Sequence, residues 1–163
     1  MSAIVTANDP IRKLLETASE QIEKNELREA AQTLNKAQQI WPNDARVFMF
    51  AGLMAEKSGN IPAAFDALRR CVALDPKWTP GELQLALLYA RRGMYDKAIM
   101  HAERLAQREP NNALVLGHLV DFAHESDNMD LAIRELRRGL TYMPNDLQLR
   151  RLLANDLQVT GQR

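Results

Sequence analysis

The sequence has little of what would mark a secreted, membrane or nucleic-acid-binding protein. Its one cysteine, Cys71, cannot form a disulfide within the chain. Acidic and basic residues balance at 21 each, so no net basic charge attracts nucleic acid or anionic lipid. No apolar run approaches the roughly 20 residues that cross a bilayer, and Met1 to Pro10 lacks a basic start and apolar stretch. We therefore predict a cytoplasmic protein that binds neither nucleic acid nor membrane.

Motifs of catalysis are also missing. The sequence contains no phosphate-binding glycine loop, no paired-histidine zinc motif, no Cys-x-x-Cys and no nucleophile elbow. His118, Asp121 and Glu125 share one helical stripe and could in principle hold a metal. Because these residue types are common, polar lining of a surface is the favoured interpretation. We predict no catalytic residues, no metal and no cofactor.

The sequence does contain an internal repeat of 34 residues. Apolar residues make up 46% of the chain and charged residues 26%, which is typical of a globular protein with a core. Four prolines follow the 34-residue spacing: Pro42, Pro76, Pro110 and Pro144. Four alanines lie at the same distance before them: Ala30, Ala64, Ala98 and Ala132.

The midpoint of each repeat carries a residue that tolerates left-handed backbone. These residues are Asn25, Gly59, Gly93, Asp127 and Gly161. Such a residue ends one helix and allows the chain to reverse, whereas the proline ends the second helix because it cannot continue the hydrogen-bond ladder. The Asn or Asp that follows most of the prolines is suited to cap the next helix. The pattern predicts two antiparallel helices in every repeat.

A 34-residue period of helix pairs resembles the tetratricopeptide repeat family over essentially the whole chain. The match is best in 45–78, where Phe48, Ala51, Gly52, Ala55, Ala64, Leu68, Cys71 and Pro76 occupy the signature positions. The resemblance implies an all-α fold, a right-handed superhelical α-solenoid of helix-turn-helix repeats. Repeats are expected at 11–44, 45–78, 79–112 and 113–146, after a flexible N-terminus and first helix cap at 1–10.

Several positions carry more specific expectations. Gly52 and Ala64 are expected where two helices approach closely. Glu82 departs from the family by replacing a large apolar residue, and His101 is expected to face solvent. Residues 147–163 are either a half repeat of a longer chain or a capping helix. In the second case Arg150 and Asp156 supply a polar outer face.

The resemblance also implies a concave surface lined by the first helix of each repeat. Five apolar residues carried over to that surface form a hypothetical seat for an apolar or amphipathic partner segment: Met49, Phe50, Leu53, Leu83 and Leu87. In the alternative interpretation, several of them pack between neighbouring helices. The predicted partner-binding groove consists of Arg46, Met49, Phe50, Leu53, Leu83, Gln84, Leu87, Arg91, Leu114, His118 and Asp121, with Arg12, Leu15, Glu16, Ser19, Ile22 and Glu23 carried over from the first repeat.

One known family function does not fit these residues. Co-chaperones of this family grip carboxylate-terminated chaperone tails with Lys, Arg and Asn side chains. The matching positions hold Leu15, Ser19, Phe50, Pro80 and Gln84, or, starting one repeat later, Met49, Leu53, Gln84, Leu114 and His118. Neither set offers the cationic donors that a carboxylate requires.

We therefore predict a non-catalytic protein-protein interaction module or scaffold. Two alternatives stay open by analogy with the family. The chain could be the N-terminal repeat domain of a larger glycosyltransferase, sulfotransferase or methyltransferase-like enzyme, serving recruitment or dimerisation. It could also be a small bacterial chaperone for a secreted or assembled protein. Self-association into a homo-oligomer is possible, and the sequence identifies neither the partner nor the biological process.

Overall fold

The computed structural model of the protein describes residues 9–161. The predicted flexible segment from Met1 to Asn8 lies outside this range. Within residues 9–161 the chain forms nine α-helices and no strand. The helices are α1 (Arg12–Glu23), α2 (Leu27–Ile40), α3 (Ala45–Lys57), α4 (Ile61–Leu74), α5 (Thr79–Arg91), α6 (Tyr95–Arg108), α7 (Ala113–Glu125), α8 (Met129–Tyr142) and α9 (Leu147–Thr160). The predicted all-α fold of paired helices is confirmed.

The helix reversals fall at the predicted residues. Backbone φ is positive at Asn25 (63°), Gly59 (81°), Gly93 (70°), Asp127 (55°) and Gly161 (68°). Only glycine adopts this left-handed conformation without steric cost, and Asn and Asp tolerate it better than other residues. The repeating Gly, Asn and Asp therefore set where each helix pair turns.

The residues after three of the prolines cap the next helix, as predicted. Oδ1 of Asp44 accepts a hydrogen bond from the amide of Arg46 at 2.9 Å. Asn112 and Asp146 cap α7 and α9 in the same manner. Each cap satisfies an amide that has no partner within its own helix.

The helices divide into two compact units, separated after Gly81 in the first turn of α5. The core of unit 1 gathers α1, α2 and α3 around Ile11, Leu15, Ala18, Leu34, Ala37 and Val47. The close approach of α3 and α4 is confirmed, because a Cβ atom on Gly52 would lie 2.7 Å from Cγ of Leu68 and 3.3 Å from the carbonyl oxygen of Ala64.

The expectation that His101 faces solvent is wrong. This residue is 8% exposed rather than solvent-facing, and its ring stacks on Tyr89 with centroids 5.7 Å apart. Its Nδ1 atom lies 3.2 Å from Oε1 of Glu82, which is itself buried. A polar side chain at this position of α6 is buried because α5 supplies a carboxylate for it.

Unit 2 also corrects the expectation for Asp156. This residue is 6% exposed, so it does not belong to a polar outer face. Its Oδ2 atom lies 2.9 Å from Nε2 of His124 on α7, and the pair joins α9 to α7. Arg150 is exposed, as expected.

Candidate functional site

The predicted groove positions of the first two repeats line one cavity in unit 1. Four residues of α1 and two of α3 surround about 520 Å³ of space. We call this cavity the α1–α3 groove, and its lining residues are Arg12, Leu15, Glu16, Ser19, Arg46 and Phe50. All six belong to the set that the family resemblance assigns to the concave face.

Helical periodicity explains why these residues meet. Side chains three, four and seven residues apart share one face of a helix, so the α1 residues from Arg12 to Ser19 form a single stripe. Leu15 is buried, and Phe50 is half-buried against the core of unit 1. The cavity therefore has an apolar floor, and Ser19 contributes a small side chain to its lining.

Both guanidinium groups of the α1–α3 groove are already paired with carboxylates. Nε of Arg12 lies 2.6 Å from Oε1 of Glu16. Arg46 donates hydrogen bonds to both carboxylate oxygens of Asp44, at 3.0 and 2.7 Å, and also to Asp9. The hydrogen bond to Asp44, and to a smaller extent the one to Asp9, raises the pKa of Arg46. The hydrogen bond that Arg46 donates lowers the pKa of Asp9. The groove therefore favours an apolar guest over an anionic one.

Of the remaining predicted groove residues of unit 1, Ile22 is buried and Glu23 is exposed at the end of α1, whereas Met49 and Leu53 lie further along α3. Met49 and Leu53 are half-buried, so each exposes part of its apolar side chain. Lys57, at the end of α3, is exposed and directs its ammonium group to the end of α1. Its Nζ donates hydrogen bonds to the carbonyls of Ile22 (2.5 Å) and Glu23 (3.0 Å), which end α1.

The predicted groove residues of unit 2 differ widely in exposure. Leu83 is only 7% exposed, as the packing interpretation expects, whereas Leu114 is 63% exposed. His118 is half-buried and stacks on Phe122 with ring centroids 6.1 Å apart. The others divide into two classes: Gln84 and Leu87 are half-buried, and Arg91 and Asp121 are exposed. In residues 9–161 no three His, Cys, Asp or Glu side chains are placed to share a metal ion.

A second cavity in unit 1 was not predicted from the sequence. It lies over a different face of α3, between α2 and α4, and encloses about 320 Å³. The signal that could have revealed it is a set of alanines, Ala31, Ala51 and Ala67, at positions where the later repeats carry larger residues. We call this cavity the α2–α4 groove.

Comparison with protein families gives matches in both halves of the chain. Two family models, each described as tetratricopeptide repeat, match residues 15–77 and 89–155. Among curated proteins, the Hsp70-Hsp90 organizing protein of Triticum aestivum is 22% identical over 145 residues. That alignment covers 87% of this chain and 25% of the wheat protein, so the chain spans about a quarter of that relative.

Several solved structures share the fold. A thermophilic tetratricopeptide repeat protein of Thermus thermophilus superposes with a TM-score of 0.69 at 20% identity, covering 94% of this chain and 84% of that one. The structure of Naa15/Naa10 bound to HypK-THB superposes with a TM-score of 0.78 at 16% identity, covering 94% and 23%. MamA gives 0.66 at 21% identity, covering 81% and 72%. No helix within residues 9–161 has the length and apolar character to span a membrane.

Proposed function

Because the chain belongs to the tetratricopeptide repeat family, we propose that it is a non-catalytic protein-interaction module. Its guest is an apolar or amphipathic segment of a partner protein, held in the α1–α3 groove. The observation that carries this proposal is the single cavity formed by six groove positions from two successive repeats.

The chemistry of the α1–α3 groove favours an apolar guest. Leu15 and Phe50 form its floor, and the charges of Arg12 and Arg46 are neutralised within the protein. Each large apolar side chain that the guest buries contributes about 1.5–3 kcal/mol. Association itself costs several kcal/mol, so we expect a guest that inserts several such side chains at once.

Names among the relatives support a role in protein assembly. They include the Hsp70-Hsp90 organizing protein and the complex of Naa15/Naa10 with HypK-THB. Those partners belong to those proteins, and the groove residues of this chain do not offer the cationic donors of a carboxylate clamp. The predicted cytoplasmic location and the absence of catalysis stay part of the proposal.

The experiment is an affinity capture from the source cell with three immobilised forms of the chain. Ser19→Tyr fills the α1–α3 groove from a half-buried position. Thr17→Tyr is the matched control, because Thr17 is exposed on the same helix and does not line the cavity. We expect a set of proteins retained by the wild type and by Thr17→Tyr but lost from Ser19→Tyr. Identical sets on all three forms would overturn the proposal.

The chaperone alternative makes a different prediction in the same experiment. A chaperone's captured protein should aggregate when it is produced without this chain and stay in solution when the two are produced together. A captured protein that is equally soluble in both cases favours a scaffold.

A further inference from the structure

The α2–α4 groove of unit 1 is walled by two helices and floored by a third. One stripe of each helix contributes to it, as expected for residues three, four and seven apart. The lining residues are Ala31, Leu34, Asn35 and Gln38 of α2, Val47, Phe48, Ala51 and Met54 of α3, and Asp66, Ala67 and Arg70 of α4.

The floor of this groove is apolar and partly open to solvent. Phe48, Ala51 and Met54 are each half-buried. The guanidinium carbon of Arg70 lies 6.0 Å from the centroid of the Phe48 ring, so a positive charge stands at the edge of the apolar floor. Open apolar surface of this kind, with charged side chains beside it, is a feature of binding sites.

The corresponding place two repeats further along the chain carries larger side chains at three positions. In unit 2 the residue corresponding to Ala51 is Leu119, and the one corresponding to Met54 is Phe122. Leu119 is 0% exposed and Phe122 is 5% exposed. Ile99 takes the place of Ala31. At these three positions unit 2 carries larger side chains than unit 1.

Ion pairs form between the corresponding helices of unit 2. Nη2 of Arg134 on α8 lies 2.8 Å from Oε1 of Glu103 on α6, which joins the two walls. Glu135 is buried, and its Oε2 atom lies 2.6 Å from Nη2 of Arg138. These ion pairs link α6 to α8 and pair the buried carboxylate of Glu135.

Unit 1 keeps only one member of this charged set. Asn35 stands where Glu103 does, Asp66 where Arg134 does, and Ala67 where Glu135 does, whereas Arg70 matches Arg138. Asp66 lies 3.7 Å from Arg69 instead of bridging to α2. Arg70 makes no ion pair with any residue between 9 and 161. Ala67 stands at the position where Glu135 pairs with Arg138 in unit 2.

We propose that the α2–α4 groove binds an acidic, apolar segment of a partner protein. A large aliphatic or aromatic side chain enters above Ala51 and Met54, and an Asp or Glu within a helical turn of it pairs with Arg70, whose guanidinium lies over the Phe48 ring. The guest thereby restores what Leu119 and Glu135 supply in unit 2. The cavity is at the small end of ligand pockets, so it suits one or two inserted side chains. This surface lies apart from the α1–α3 groove and binds independently of it.

The probe is a phage-displayed library of peptides about a dozen residues long, selected on the intact chain. Ala51→Leu fills the groove as Leu119 does in unit 2, and Ala73→Leu adds the same bulk at an exposed position of α4 outside the groove. Arg70→Glu reverses the charge, and Arg28→Glu does so at an exposed position of α2 that does not line it. Far-ultraviolet circular dichroism and the urea midpoint verify that each variant folds.

We expect selected peptides to combine a large apolar residue with Asp or Glu. Ala51→Leu and Arg70→Glu should each raise their Kd about tenfold or more, with Ala73→Leu and Arg28→Glu within roughly twofold of the wild type. Changing the acidic residue of the peptide to Lys should restore binding to Arg70→Glu, and Ser19→Tyr should leave Kd unchanged. The proposal is overturned if no selected peptide distinguishes the wild type from Ala51→Leu. It is equally overturned if the distinguishing peptides lack acidic residues or bind Arg70→Glu as tightly as the wild type.

Discussion

Oε1 of Glu82 lies 3.2 Å from Nδ1 of His101, and both side chains are buried between α5 and α6. Two guanidinium groups complete the cluster, because Arg104 donates to Oε1 of Glu82 at 3.2 Å and Arg108 to Oε2 at 3.0 Å. A carboxylate that is 1% exposed is stable only when it is paired in this way. The cluster joins α5 to α6. It is centred on Glu82, at a position where the family resemblance implies a large apolar side chain.

Glu82→Gln should therefore destabilise the protein. The amide keeps the shape of the carboxylate but loses its charge, and it turns donors toward His101 and the two arginines. We expect a loss of about 1–3 kcal/mol in the free energy of unfolding, measured by urea denaturation. Glu125→Gln is the control, since Glu125 is exposed on α7, and it should change the value by less than about 0.5 kcal/mol. Equal stability of the two variants would show that the cluster does not contribute to the free energy of unfolding.

Replacing two helical glycines by alanine should change the free energy of unfolding in opposite directions. A Cβ atom at Gly52 would meet Cγ of Leu68 at 2.7 Å, whereas one at Gly117 would meet nothing within 4 Å. Gly52→Ala should cost about 1–3 kcal/mol through overpacking. Gly117→Ala should stabilise by about 0.5–1 kcal/mol, since alanine loses less backbone entropy in a helix. Thermal unfolding of both variants measures the difference, and a Gly52→Ala protein as stable as the wild type would contradict the close approach of α3 and α4.

The thiol of Cys71 should be unreactive in the folded protein. Burial, with smaller contributions from the carboxylates of Asp75 and Asp44, raises the pKa of Cys71 to about 12. Near pH 8 only about one thiol in ten thousand is then ionised, and only the thiolate attacks an alkylating reagent. Iodoacetamide should modify Cys71 many times faster in concentrated guanidinium chloride than in buffer, as followed by mass spectrometry. Rapid modification in buffer would contradict the packed position of this side chain.

The pair between Asp9 and Arg46 should make unit 1 less stable in acid. The hydrogen bond from Arg46 holds the pKa of Asp9 below its ordinary value of 3.8 in the folded state. Its contribution is therefore present above that ordinary value and is lost as the pH falls through the folded pKa. Asp9→Asn should lower the free energy of unfolding by about 1 kcal/mol or less near pH 7. The difference from the wild type should shrink as the pH falls below 3.8 and vanish once Asp9 is protonated in the folded state, and a difference that does not shrink in acid would contradict the assignment to this carboxylate.

The helix boundaries were predictable because single residues decide them. Left-handed backbone at Asn25 and Gly93 and a proline after each helix pair act locally, whatever the rest of the chain does. The close approach at Gly52 followed from the same register. These features need no knowledge of how side chains meet across helices.

The polar pairs were not predictable in this manner. Glu82 with His101, and His124 with Asp156, join residues on different helices, and their burial depends on rotamers and on helix register. The available signal was Glu82 alone, since the equivalent positions of the other full repeats hold Leu14, Phe48 and Leu116. The two grooves of unit 1 escaped full prediction for a related reason: a cavity is set by the sum of neighbouring side-chain volumes, here decided by Ser19 and Ala51.

The α1–α3 groove is tested most directly by calorimetric titration of a captured partner segment into three forms of the chain. Our account predicts a Kd at least about tenfold weaker for Ser19→Tyr and within roughly twofold of the wild type for Thr17→Tyr, with unchanged far-ultraviolet spectra. An equal Kd for all three folded proteins would place the guest elsewhere and contradict the account.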